Sequence, residues 1–316
     1  MANKSTAAIS FPAEGNCHGK IILLGEHSVV YGHGALAHPV KSLSLTTGIE
    51  SGSENSGGLV QTEDYRGPWQ DLPSAYGGIK SIIAALLSEY GKAADFIMSF
   101  RSNIPMERGL GSSAAVSVAT VTALAKYLGL PLTDGKLVAL ANAAETINHG
   151  SASGLDVATV LSDCTLFFRK GQVPVKIPNA LGAYLVIADT GIRGNTRQAV
   201  TAVRAKYETD AAARALIARL GTIATAGLNA WQVRDALSFG QLMNESQACL
   251  AALGVSLPII GQLATAARKA GALGAKLSGG GLGGVVIALA GEAQAALAIS
   301  QAMVTAGAKG TWVDAI

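Results

Sequence analysis

"PMERGLGSSAA", Pro105 to Ala115, decides how this chain reads. Two glycines and two serines stand directly ahead of a run of small apolar residues that continues to Leu128. The start of a helix leaves its first backbone N–H groups unpaired and carries a partial positive charge. Glycines just before it let those amides close on an anion, most often a phosphate. Here Arg108, Gly109, Gly111, Ser112 and Ser113 offer a cation, amides and hydroxyls. A serine N-cap behind a tight turn explains the same spacing equally well. The rest of the chain has to choose between the two.

The bulk composition narrows the choice. With 316 residues, 49% of them hydrophobic and 14% charged, the chain is long enough for two cores and far from a disordered composition. A formal charge of +3, with Lys and Arg scattered and no basic stripe among aromatics, argues against nucleic acid. Cys17, Cys164 and Cys249 lie far apart, which fits reduced thiols in a cytoplasmic protein better than a disulfide framework. "MANKSTAAISFPAEG" lacks the apolar core of a signal peptide. The apolar stretch Ala114–Leu130 contains Lys126 and is mostly Ala, Val and Thr, so it reads as a buried helix and not as a membrane span.

Strand-like text comes first: "AAISF", "GKIILLGE", "ALAHPV" and "SLSLTTGIES". Helices are expected at 74–90, 112–128 and 133–149, the last with Thr133 as N-cap, and a strand at "ADFIMSFRS". After "CTLFFR" and "AYLVIADT", residues 195–271 are almost wholly helical in pattern. The end reads strand, glycine loop, strand, helix, strand. This order predicts an α+β protein, with a domain boundary near Pro178 in the Pro/Gly-rich "VPVKIPNALG".

Several alternatives fail on their own chemistry. No Gly-Lys pair is followed by Ser or Thr, so there is no Walker A loop. "GGGLGGVV", Gly279–Val286, matches a dinucleotide fingerprint, but a strand follows it where that site needs a helix. No HRD or DFG segment accompanies it, which excludes a protein kinase, and no HExxH supports a zinc hydrolase. Three stretches keep chemical interest. Lys20 sits inside the apolar run "GKIILLGEHSVVYG" and needs a carboxylate or an anionic ligand unless that strand is at the surface. Glu145 and His149 lie one helical turn apart ahead of Asp156, as a metal pair or as an ordinary helix contact. "IADTGIRGNTR" gathers polar groups at a strand end, for a ligand or as a cap to the next helix.

Taken together and in order, these stretches resemble the GHMP kinases, whose motif P-x-x-x-G-L-G-S-S-A-A is matched by Pro105–Ala115. A lysine-bearing strand and glycine loop, Lys276–Gly284, resemble a second family motif. "GEHSVVYG" and "ETINHGSASGLDVA" are similar to the branch that phosphorylates mevalonate. The resemblance spans nearly the whole chain. It implies a two-lobed fold, with an S5-like N-terminal domain over 1–178 and a ferredoxin-like C-terminal domain over 179–316. It also implies an ATP- and Mg2+-dependent transfer to the primary hydroxyl of (R)-mevalonate.

Carried over by position, the resemblance places ATP on Arg108, Gly109, Leu110, Gly111, Ser112, Ser113, Ala114 and, from the other side, Gly280. Ser113 and Glu145 would hold Mg2+, and Asp156 would be the base with Lys20 beside it. Lys20, Glu26, His27, Ser153, Asp156 and Thr190 would face or support the acceptor pocket. Glu107 stands where many members have glycine. The same fold also serves phosphomevalonate, homoserine and galactose kinases and diphosphomevalonate decarboxylase. The intact set of Lys20, Glu145 and Asp156 argues against the decarboxylase and against a non-catalytic sensor. The helical middle suits a homodimer, as in relatives, and equally a monomer core.

Overall fold

The computed structural model describes residues 11–91, 93–150 and 153–316. "AAISF" falls mostly outside them. The described chain forms eleven strands and nine α-helices, grouped into two compact units that interleave along the sequence. Of the described residues, unit 1 comprises those within 11–17, 45–102 and 113–150, and unit 2 those within 18–44, 103–112 and 153–316.

In unit 1, the end of β2 (Gly34–Ser51) pairs antiparallel with β5 (Phe96–Ser102), from Leu45 opposite Ser102 to Ser51 opposite Phe96. β5 runs parallel to β3 (Leu59–Gln61), which turns back into β4 (Arg66–Pro68). Three helices accompany these strands: α1 (Gly77–Tyr90), α2 (Ser112–Leu128) and α3 (Asp134–His149). Their shared core contains Ile49, Phe96, Met98, Ile83, Leu86, Val121 and Leu124, all fully buried. Thr133 caps α3 by accepting the Lys136 N–H at 3.3 Å. Gly15, on β1 (Ala13–Leu24), lies so close to α2 that an added Cβ would fall 2.0 Å from the Ala119 carbonyl oxygen.

The expected strands at 35–40 and 42–51 are one strand, β2, in spite of Pro39. Its β6 pairing covers Gly34–Ala37 and its β5 pairing Leu45–Ser51, so the missing Pro39 N–H interrupts neither ladder. The helix expected over 74–90 begins as one 3-10 turn at Ser74–Tyr76.

Unit 2 contains β6 (Thr165–Arg169), which pairs antiparallel with Gly34–Ala37 of β2 and with β7 (Val175–Ile177). It also contains the short helix α4 (Leu155–Val160). Its larger part is a four-stranded antiparallel sheet of β8 (Tyr184–Asp189), β9 (Gly274–Ser278), β10 (Val285–Ala290) and β11 (Gly310–Ala315), in the order β11-β8-β10-β9. Four helices join β8 to β9: α5 (Thr196–Thr209), α6 (Ala211–Gln232), α7 (Ala236–Leu253) and α8 (Pro258–Lys269). α9 (Ala293–Thr305) joins β10 to β11. Strand order 4-1-3-2 with helices in the first and third connections is the split βαβ arrangement of a ferredoxin-like domain.

β8, β9 and β10 are buried almost throughout and read as continuous apolar text, because α7, α8 and α9 pack against the sheet. Among the described residues, α6 is the helix long and apolar enough to cross a bilayer by composition, rather than the 114–130 stretch singled out from sequence. It packs against α7, with Trp231 edge-on to Phe239, and its buried residues include Ile217, Leu220 and Ile223.

Candidate active site

In unit 2, β1 carries Lys20 into the interior. Its Nζ lies 3.0 Å from Asp156 Oδ1, on the first turn of α4; Lys20 is buried while the Asp156 side chain keeps 42% of its surface. A buried ammonium needs such a partner, and an accessible carboxylate beside it can meet a substrate. The loop 105–111 folds onto this lysine. The Lys20 N–H donates to the Leu110 carbonyl at 2.9 Å. Gly111 adopts φ 75°, and a Cβ there would stand 2.6 Å from Lys20 Cγ. Glycine is required twice at that position, by conformation and by space.

The glycine loop after β9 lies against the same segment. Gly109 approaches the Ser278 carbonyl, and a Cβ on Gly284 would fall 2.9 Å from that of Arg108. Ser278 Oγ donates to the Ile22 carbonyl at 2.9 Å and accepts the Ile22 N–H at 3.0 Å, so β9 is pinned to β1. The Arg108 guanidinium is held by Asp189, with Nε 2.7 Å from Oδ1. Thr190 is buried, and its hydroxyl donates to the Gly284 carbonyl at 2.7 Å. Arg108 and Thr190 therefore serve the loops around the site. Glu107 adopts φ 57° and pairs at the surface with Arg193 at 3.0 Å.

Glu26 and His27 follow the end of β1. Glu26 is buried and ion-paired with the fully buried Lys276 of β9, whose Nζ also donates to the Leu277 carbonyl at 2.5 Å. Burial pushes the Glu26 carboxyl up and the Lys276 ammonium down, against their mutual attraction. Burial likewise pushes the His27 imidazole below its ordinary value. Its Nε2 lies 2.9 Å from the Gly280 carbonyl, so that nitrogen carries the hydrogen and donates. His27 has φ 59°, a strained value for a residue with a side chain. Glu26 thus holds β9 just ahead of the glycine loop, and His27 holds the loop itself through Gly280. Ser153 is exposed, with its Oγ accepting the Leu155 N–H at 3.3 Å at the start of α4.

In unit 1, α2 and α3 bring Ser113 and Glu145 together. Ser113 Oγ donates to Glu145 Oε1 at 2.5 Å, Ser117 Oγ lies 3.4 Å from the same oxygen, and His149 Nε2 is 3.7 Å from Oε2. Glu145 is buried. A hydroxyl beside a carboxylate is a hard-oxygen donor pair, which fits Mg2+. Among the described residues no group of three His, Cys, Asp or Glu forms a metal cage.

Lys276 and Asn148 are functional candidates that the sequence reading did not assign. Lys276 was visible as a lysine inside the apolar "GAKLS", the same signal that singled out Lys20. Asn148 stood in the Asn148-His149-Gly150 context that favours the mevalonate branch, without a role of its own.

Residues 78–163 match the family description "GHMP kinases N terminal domain" and residues 224–309 match "GHMP kinases C terminal". The chain is 32% identical to the mevalonate kinase of Pyrococcus abyssi over 308 residues, with 86% of each chain covered. It is 34% identical to that of Aeropyrum pernix over 290 residues, with 88% of each covered. The crystal structure of L. major mevalonate kinase in complex with R-mevalonate has a TM-score of 0.80 at 26% identity, covering 99% of this chain and 98% of that one. Motifs, folded units and relatives agree: the chain belongs to the GHMP kinases, in the mevalonate kinase family.

Proposed function

We infer that the protein transfers the γ-phosphoryl group of ATP to the primary hydroxyl of (R)-mevalonate, giving 5-phosphomevalonate. The observation that carries the chemistry is the Lys20–Asp156 pair beneath the Gly109–Gly111 loop. Phosphoryl transfer requires little covalent work from a protein; it requires alignment, a proton acceptor and positive charge where negative charge develops. Asp156, accessible on α4, takes the proton of the acceptor hydroxyl at a carboxylate oxygen. Lys20, buried and 3.0 Å away, orients that carboxylate and offers its charge to the developing alkoxide. An aspartate is a weak base, so alignment of the hydroxyl carries much of the rate.

Within unit 2 the amides of the 108–112 segment take the phosphates, with Gly280 and its neighbours; Ser113 and Ala114 are carried over as phosphate contacts from the family motif. Ser113 and Glu145 would hold Mg2+, which supplies neutralisation of the β and γ oxygens when bound. His27, Glu26, Ser153 and Thr190 line or brace the acceptor pocket. On this reading the domain boundary lies near Pro178; the matched family segments, 78–163 and 224–309, fall on either side of it. A cytoplasmic enzyme, free of nucleic acid and membrane and pairing as a homodimer, completes this reading; sedimentation tests the dimer.

The test is ADP release with Mg-ATP from purified protein, with mevalonate, phosphomevalonate, galactose and homoserine compared. Turnover confined to mevalonate is the expected result. Turnover confined to another acceptor would leave the fold and overturn the substrate.

A further inference from the structure

We propose that Asn148 is a positioning residue, which fixes the Ser113 hydroxyl with one acceptor lobe free for the divalent cation. The proposal rests on the reading of Ser113 and Glu145 as the cation's protein ligands.

The argument is an inventory of donors and acceptors within unit 1. A serine hydroxyl has one hydrogen and two lone pairs. Glu145 Oε1 accepts the Ser113 hydrogen at 2.5 Å. Asn148 Nδ2 donates to Ser113 Oγ at 3.1 Å and so occupies one lone pair. A single lone pair is left, in a direction set by the other two bonds. Without Asn148 the hydroxyl would keep its bond to Glu145 but lose the second constraint on its rotation.

The amide is itself fixed. Asn148 Oδ1 accepts the Gly78 N–H at 2.9 Å, in the first turn of α1, where that N–H has no partner within the helix. A donor at Gly78 can only face the amide oxygen, so the NH2 group must face Ser113. Gly78 has no Cβ to obstruct this; one would stand 2.7 Å from Asn148 Nδ2. Asn148 also lies three residues after Glu145 on α3, which brings both side chains to the same face. One helix face thus carries the ligand carboxylate and the group that aims the ligand hydroxyl.

The competing role is structural, with Asn148 doing no more than capping α1. A double-mutant cycle separates the two roles. The measurement is the affinity of the full-length protein for Mn2+, saturated with a non-hydrolysable ATP analogue, read from the free Mn2+ resonance signal. Asn148→Ala and Ser113→Ala should each weaken Mn2+ about two- to tenfold, the loss of one oriented hydrogen bond or ligand. The double variant should bind Mn2+ no more weakly than Ser113→Ala alone. If the two factors multiply, or Asn148→Ala binds like wild type beside a weakened Ser113→Ala, the proposal is overturned. An unchanged Ser113→Ala would instead remove Ser113 as a ligand, and the proposal with it.

Discussion

Lys276→Met should destabilise the protein strongly at neutral pH and only slightly at pH 5. Glu26 and Lys276 are both buried and face each other, so removing the ammonium leaves a carboxylate with no counter-charge. Breaking a buried pair from one side costs about 3–5 kcal/mol. The carboxyl has a way out, because burial already pushes it up from 4.5 and it can fold in the protonated form. Taking up that proton at pH 7 costs about 1.4 kcal/mol per unit over roughly 2.5 units, or about 3.4 kcal/mol. At pH 5 the same route costs about 0.7 kcal/mol.

The sign follows from linkage: a group whose folded value is raised holds its stability below the unfolded value and loses it as pH rises. The variant's deficit therefore grows from pH 5 to pH 7. Thermal unfolding should show a midpoint about 7 °C below wild type at pH 7, at roughly 2 °C per kcal/mol for a chain of this size. The gap should nearly close at pH 5. The double variant Glu26→Leu with Lys276→Met should recover most of the loss at both pH values, since an apolar pair has no charge to desolvate. A deficit of equal size at pH 5 and pH 7 would refute the reasoning.

Asp156→Ala should lower kcat about 10²- to 10⁴-fold while ATP binding, followed by calorimetry, stays near wild type; most of the activity surviving would remove Asp156 from the base role. Gly111→Ala should place a methyl group against Lys20 Cγ at a φ that favours glycine. It should cost about 1–3 kcal/mol in unfolding free energy, with a loss of kcat, and a neutral substitution would contradict the packing described. His38, beside Trp231 and 2.7 Å from Thr165 Oγ1, is pushed down to about 4 by burial and by Lys41 and His18. A depressed imidazole contributes stability above 6.5 that is lost as pH falls toward 4, so His38→Gln should unfold with a shallower acid slope over that window. An unchanged slope would exclude it.

What could be read in advance was whatever one segment decides alone. The start of α2 at Ser112 follows from glycines ahead of an unbroken run of small residues, and the Thr133 cap from a hydroxyl before a helical period. β8 to β11 follow from apolar runs bounded by glycine. The three-residue strands β3, β4 and β7 did not stand out, because each is held by its neighbours and has too few residues to show an alternation. Lys20 was legible as a cation in an apolar run; the resemblance put it beside Asp156, 136 positions away, and the structure has the two 3.0 Å apart. Glu26 was expected to face or support the acceptor pocket; the structure adds its buried partner, Lys276, 250 positions away. Such partners belong to tertiary structure, and a side chain's own neighbourhood in sequence does not name them.

The Glu26–Lys276 pair also has a consequence in time. Its members are separated by 250 positions, and unit 2 joins 18–44 to 103–112 and 153–316. At about 5–20 residues per second on the ribosome, the carboxylate is made roughly 12–50 s before the ammonium that neutralises it. β9, β10 and β11 are made after α5–α8, so the four-stranded sheet cannot form until β11 has left the ribosome. The 105–111 loop therefore waits for the 279–284 loop that lies against it.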